Sequence, residues 1–256
     1  MAQTLHEKYM DALAYMNRTV KDDIANGRQW KYCNVKSHKG KNFEDARKKK
    51  KYLINCVDGV QWACLLAGIP SNSGALAWYG SNGIVWLNSN AKARAKKYFK
   101  IIKVGNKTVR QLYDQGLLCE GDILTYVNLS HTNAYYKGGK SFDSGHAFCT
   151  GSGEHAPFKK FIGKLQYSSQ KVAYILRIKD RKHYRAQAGA YANPDKANER
   201  VKELLEKWKI KSEIKSEDGL YKIQVGYYDS KENCEKAVAN LKKKTNDNNF
   251  ITKELG

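Results

Sequence analysis

The chain reads as an α+β protein of two domains, and three observations lead there. Helical patterns come first in residues 1–180 and strand-like segments second, the order of an α+β arrangement. After residue 180 a βα unit is duplicated at an offset of 37 residues. At 256 residues the chain can bury a sizeable core. The expected domains are 1–178 and 183–256.

Residues 5–24 carry Leu5, Met10, Leu13, Met16, Val20 and Ile24 at amphipathic helical spacing, and Gly27 fits the end of that helix. Residues 33–42 read as a polar loop. "FEDARKKKKYLI" reads as a short basic helix or the approach to a strand. "CVDGVQWACLLA" (56–67) predicts a compact apolar helix, ended by Gly68 and Pro70. Residues 71–90 are rich in Ser, Asn and Gly and read as loop. After a basic stretch come "GDILTYVN", "HTNAYYK", "KSFDSG" and "KVAYILRIK", all strand-like.

The duplicated unit superposes Tyr184 on Tyr221, Gln187 on Gln224, Gly189 on Gly226 and Tyr191 on Tyr228. Ala186, Ala188 and Ala190 alternate in the first copy, as do Ile223, Val225 and Tyr227 in the second, so each unit opens on a strand. Ala197, Val201, Leu204 and Leu205, then Cys234, Val238 and Leu241, follow at helical spacing. Pro194 and Asp195 suit a first helical turn. With "KIKSEIKS" and "FITKEL" as further strands, the expectation is a four-stranded sheet with two helices on one face.

Charge narrows the partners. The chain holds 46 Lys plus Arg against 25 Asp plus Glu, a net charge of +21. Residues 1–180 account for +16 of this and residues 181–256 for +5. Such a field suits a polyanion: nucleic acid, an anionic wall polymer or a membrane surface. No apolar run approaches the ~18 residues a membrane span needs. The N-terminus lacks the basic-then-apolar pattern of a signal peptide, so synthesis in the cytoplasm without a secretion signal is expected. Six sparse cysteines argue against a disulfide scaffold and for thiols.

Duplicated Y-x-x-Q-x-G-x-Y units within βαβ repeats resemble the SPOR family, over roughly residues 181–255. The resemblance implies a ferredoxin-like fold that binds peptidoglycan glycan strands on its exposed sheet face. Gln187, Tyr191, Gln224 and Tyr228 are the glycan-binding candidates it yields.

Cys56 stands where polar Asn55 gives way to an apolar helical run. At a helix N-terminus the dipole and free amides lower a thiol's pKa, and the backbone can hold an oxyanion. A thiolate nucleophile needs a basic partner. Of His6, His38, His131, His146, His155 and His183, His131 is best placed, at the start of a strand. Asp143 lies 12 residues on, across a "KGGK" turn, and a hairpin would bring it to His131 to orient the imidazole. His146 is the rival for that third place.

"NCVDGVQWACLLAGI" with "GDILTYVNLSHTNAYY" resembles the NlpC-type, papain-like cell-wall cysteine peptidases, over roughly residues 25–178. That resemblance implies N-terminal helices with an antiparallel sheet, Cys56 as nucleophile, His131 as base, Asp143 as third residue and Tyr32 as an oxyanion-hole candidate. The chain departs from the pattern at Asn55, at Val57-Asp58-Gly59 and at Asn133. The two resemblances together imply a peptidoglycan hydrolase, endolysin-like or autolysin-like, of phage or bacterial origin. It would cut either an amide in the stem peptide or the muramic acid–L-Ala bond, and act on the wall after release from the cytoplasm. Expected partners are peptidoglycan and anionic wall polymers, with no cofactor. The alternatives are a wall-binding protein without catalysis and a basic nucleic-acid-binding protein, although no specific nucleic-acid motif is present. A metal site from His146, Cys149 and His155 lacks the usual paired spacing, so no metal is expected.

Overall fold

The computed structural model describes residues 2–33, 41–70, 95–127, 131–165 and 171–255. The chain divides into two compact units, Met1–Arg181 and Lys182–Gly256.

In the first unit, helix α1 (Leu5–Ala25) opens on a capping box in which Thr4 and Glu7 satisfy each other's backbone amides. It buries Tyr9, Leu13, Met16 and Val20. Gly27, at φ 79°, turns the chain out of it. Strand β1 (Lys31–Tyr32) pairs in parallel with β2 (Leu53–Ile54), with Tyr32 opposite Ile54. The basic segment before β2 resolves into both expected forms, since helix α2 (Phe43–Lys48) precedes the strand. Helix α3 (Cys56–Leu66) is apolar nearly all round and correspondingly buried from Cys56 to Cys64, with Val57 only half-buried. It ends in a Schellman motif: the amides of Gly68 and Ile69 return to Leu65 and Cys64, with Gly68 at φ 83°. Residues 71–90 lie outside the described residues, as does most of the 33–42 segment.

The sheet has six antiparallel strands: β3 (Phe99–Thr108), β4 (Ile123–Tyr126), β5 (Thr132–Tyr135), β6 (Lys140–Phe142), β7 (Ile162–Lys164) and β8 (Lys171–Ile178). Their spatial order is β3-β8-β4-β5-β6-β7. Alternating residues serve two cores. Ile123, Ala134, Phe142 and Leu176 face an aromatic-rich core with Trp30, Phe43, Trp62 and Phe161. Leu124, Tyr126, Tyr135 and Ile175 face a second core with Val109 and Leu112 of helix α4 (Val109–Asp114). The sequence reading did not name β3, α4 or β7. "FKIIKVGNKT" is studded with lysines that point to solvent, and β7 has three residues. Gly138 and Gly139, both at positive φ, close the β5–β6 hairpin as a type I′ turn, with the Lys140 amide bonding the Lys137 carbonyl.

The second unit contains β9 (His183–Tyr191), helix α5 (Pro194–Trp208), β10 (Glu213–Glu217), β11 (Leu220–Tyr228), helix α6 (Lys231–Thr245) and β12 (Ile251–Leu255). The strands run antiparallel in the order β10-β11-β9-β12. Ala186, Ala188, Ile223 and Val225 share one core with Ala197 and Leu204 of α5 and Cys234 and Val238 of α6. The repeat pairs with itself across β9 and β11: Tyr221 opposite Tyr191, Gln224 opposite Gln187, Tyr228 opposite Tyr184.

The strict alternation expected of the two copies fails at one place in each. Unbroken alternation would put Ala190 and Tyr227 on the core face with Ala188 and Val225, but both are exposed. Gly189 (φ 134°) and Gly226 (φ 67°) lie where the register slips, so each strand bulges and its side-chain phase inverts. A Cβ on Gly226 would stand 2.6 Å from the Tyr228 hydroxyl, and one on Gly189 2.8 Å from the Tyr191 ring. Each repeat's last tyrosine therefore folds back over its own glycine.

Candidate functional site

Two places in the molecule collect the residues singled out by sequence. The first lies where α3 meets β5 and the end of β6. Asn55 caps α3: its side-chain oxygen takes the Asp58 amide at 3.0 Å, and Asp58 takes the Asn55 amide at 3.1 Å. Cys56 is thus the first residue of a well-capped helix, with its side chain buried. Helix α3 packs on β5. His131 immediately precedes β5, and the β5–β6 pairing carries Asp143 round to meet it.

His131 Nε2 bonds Asp143 Oδ2 at 2.9 Å. The Cys56 side chain also acts on this ring and favours its charged form. Burial disfavours the charged ring, but the Asp143 carboxylate and Cys56 outweigh it and raise its pKa to about 11. Asp143 is itself fixed: Oδ1 accepts the Gly145 amide at 2.7 Å, and Oδ2 also faces Asn133 Nδ2 at 3.5 Å. Asn133 Oδ1 accepts from the Tyr126 hydroxyl at 3.3 Å. The Tyr126 ring lies 5.5 Å from the imidazole, centroid to centroid.

Two glycines make this approach possible. A Cβ on Gly145 would stand 2.8 Å from His131 Cε1. One on Gly59 would stand 2.3 Å from Ser144 Oγ, which donates to the Asn55 carbonyl at 2.7 Å and ties the Asp143 loop to the start of α3. Cys56, His131 and Asp143 are therefore brought together. Tyr32 is placed by backbone: it pairs with Ile54, two residues before Cys56, and is buried. His146 begins a 3-10 turn (His146–Phe148), and its side chain lies outside the described residues. Sequence reading missed Asn133, Gly145 and Ser144 as parts of the site, and had counted Asn133 only as a departure. Among the described residues no group of His, Cys, Asp and Glu could hold a metal ion.

The second place is the sheet face of the Lys182–Gly256 unit opposite its helices. Glu213, Gln224, Gln187 and Ile251 form a row across all four strands. Gln224 accepts from Arg185 at 2.7 Å, and Gln187 beside it is 8% exposed. Tyr191 and Tyr228 do not join this face. They were expected to contact glycan there, but the bulges turn them toward the hydrophobic core. The exposed aromatic is Tyr227, whose ring lies 4.8 Å from His183 and 5.9 Å from the Arg185 guanidinium. The signal for it was the glycine one residue earlier, read as a motif position rather than as a bulge.

No helix of the described residues is long and apolar enough to cross a membrane. No curated protein matches the chain. A solved structure, the peptidoglycan-binding domain of the B. subtilis cell wall lytic enzyme CwlC, is 25% identical over 31% of this chain and 94% of that one, with a TM-score of 0.25. The SPOR domain family model matches residues 180–253. Cys56, His131 and Asp143 lie outside that match. Residues 180–253 are a SPOR domain, and peptidoglycan binding is the property that this membership supports.

Proposed function

We propose that the chain is a peptidoglycan hydrolase, which holds the wall through its SPOR domain and cuts an amide bond with Cys56. The observation that carries the reading is the Cys56–His131–Asp143 cluster at the N-terminus of α3. A half-buried imidazole paired with a carboxylate, beside a thiol on a helix start, suits a thiolate–imidazolium nucleophile.

The chemistry follows from the groups. Thiolate Cys56 attacks the amide carbonyl carbon. The backbone amide of Cys56, at the positive end of α3, steadies the oxyanion, with Tyr32 as candidate side-chain donor. Imidazolium His131 gives its proton to the departing amine as the C–N bond breaks. Neutral His131 then takes a proton from water, which attacks the thioester and frees the acid and the thiolate. Asp143 keeps the ring oriented throughout. Either an amide in the stem peptide or the muramic acid–L-Ala bond fits these steps, because choice between them depends on pocket shape. The enzyme would act at the cell wall, after release from the cytoplasm.

Purified sacculi incubated with the wild type and with Cys56→Ala test this, with products identified by mass. New fragments from the wild type alone are expected, and their masses name the bond. Cys56→Ala should still sediment with the sacculi. Equal release by both proteins would remove Cys56 from the mechanism, and no release by either would leave a wall-binding protein without catalysis.

A further inference from the structure

A cleft of about 630 Å³ lies between α1 and the β6–β7 edge of the six-stranded sheet. Its floor is rigid: Asn17 Oδ1 accepts the amides of Phe161 and Ile162 at 3.0 and 2.8 Å, which fastens α1 to the start of β7. Its rim carries Lys21, Lys140, Lys160 and Lys164, and no carboxylate lines it among the described residues.

The charges here are not merely numerous. Lys140 and Lys164 stand directly opposite one another in the β6–β7 ladder. Like charges at such a pair repel and weaken the sheet. Lysines on an edge strand can guard against edge-to-edge aggregation, which would account for Lys164 on β7. It does not account for Lys140 on the inner strand, Lys21 on the helix or Lys160 ahead of the strand. A second basic cleft, near Arg28 and Arg47, differs in kind, because Asp23 binds both guanidiniums and Asp45 binds Lys49. Positive charge focused in a concave site without acidic lining favours a polyanion.

We propose that this cleft binds a phosphodiester polymer of the cell wall. The choice of a wall polymer rests on the proposed action at the wall; the cationic cleft itself does not. Lys140 lies three residues before Asp143, about 10 Å along extended chain. A polymer held there would keep the Cys56 centre against the wall.

The test uses the full chain carrying Cys56→Ala, so that hydrolysis plays no part. Binding of soluble poly(glycerol phosphate) is measured over a salt series. It is repeated with Lys21, Lys140 and Lys160 all changed to Gln, and with a charge-matched control in which Lys96, Lys100 and Lys103, exposed around β3 at the opposite edge of the sheet, are changed to Gln. Each phosphate contact contributes about 0.7 to the slope of log affinity against log salt for a flexible strand. The cleft variant should lose about 2 from that slope, with its thermal midpoint kept, while the control loses much less. Equal losses in the two variants would overturn the cleft as a site. Tighter binding of duplex DNA than of poly(glycerol phosphate), lost in the same variant, would overturn the wall polymer as its ligand. Failure of the hydrolase reading leaves this measurement intact, because no variant in it is catalytic.

Discussion

Gly145→Ala separates the position of the imidazole from the charges that surround it. The added methyl would stand 2.8 Å from His131 Cε1 and 3.2 Å from Asp143 Oδ1. Carbon atoms in contact rest about 3.5–4.0 Å apart, so the ring has to retreat by roughly 1 Å. A displacement of that size at a reacting group costs on the order of 100-fold in rate. Overpacking of this kind costs about 1–3 kcal/mol. For a chain of this length each kcal/mol lowers the thermal midpoint by about 2–4 °C. If the chain is the proposed hydrolase, the variant should therefore remain folded at 25 °C, release wall fragments about 100-fold more slowly, and sediment with sacculi like the wild type. Fragment release, calorimetry and the His131 ring-proton resonance read the three effects separately. Wild-type turnover with an unmoved His131 resonance would refute the claim that the missing side chain at 145 is what admits the ring.

Three further outcomes are expected. Gly59→Ala drives a methyl into Ser144 Oγ and should cost about 1–3 kcal/mol; Ser144→Gly in the same chain should recover part of the loss, measured by denaturant midpoints. His6 bonds the Glu120 carbonyl at 2.8 Å, and burial, then the Arg181 charge, hold its pKa down at about 4. The folded state thus keeps a neutral ring while the unfolded chain takes up a proton below about 6.5, so this contribution is full above that pH and is lost toward 4. Urea unfolding at pH 7 and pH 5 should differ by about 2 kcal/mol from this group, a difference absent in His6→Gln. Gly189→Ala sets a side chain at φ 134° against the Tyr191 ring and should lower the stability of the SPOR unit by about 1–3 kcal/mol, with wall sedimentation weakened to match.

Much of the fold was legible because its periodicities are clean. Leu13, Met16 and Val20 mark one face of α1, and Gly68 marks the stop of α3. The duplicated Tyr, Gln and Gly positions marked the second unit, since two copies at one offset are hard to obtain by chance. What remained hidden has physical causes. A β-bulge inverts the phase of a strand without leaving a break in the hydrophobic pattern, so Tyr227 and Tyr228 exchanged faces. β3 interrupts its apolar residues with lysines at uneven spacing, without the period of two that marks a strand, and falls in the stretch read only as basic. At the site, spacing and turn chemistry were enough to bring Asp143 to His131. The need for Gly145 and Gly59 was invisible, because close approach is a property of three dimensions and leaves no period along the chain.

The positions at which the chain departs from the resembled cysteine-peptidase pattern gather around one site. Asn55 is a strong N-cap, and Asp58 closes the capping box three residues on. Gly59 keeps a glycine close behind the cysteine, and there it admits Ser144, whose hydroxyl fastens the Asp143 loop to Asn55. Asn133 supplies an amide facing the carboxylate of Asp143 and receives the Tyr126 hydroxyl. Asn55, Asp58, Gly59 and Asn133 thus support the same Cys56–His131–Asp143 cluster. Burying a carboxylate is costly unless it is paired, and Asp143, 3% exposed, faces Asn133 as well as His131 and the Gly145 amide. These contacts are what the proposed hydrolytic role of Cys56 requires.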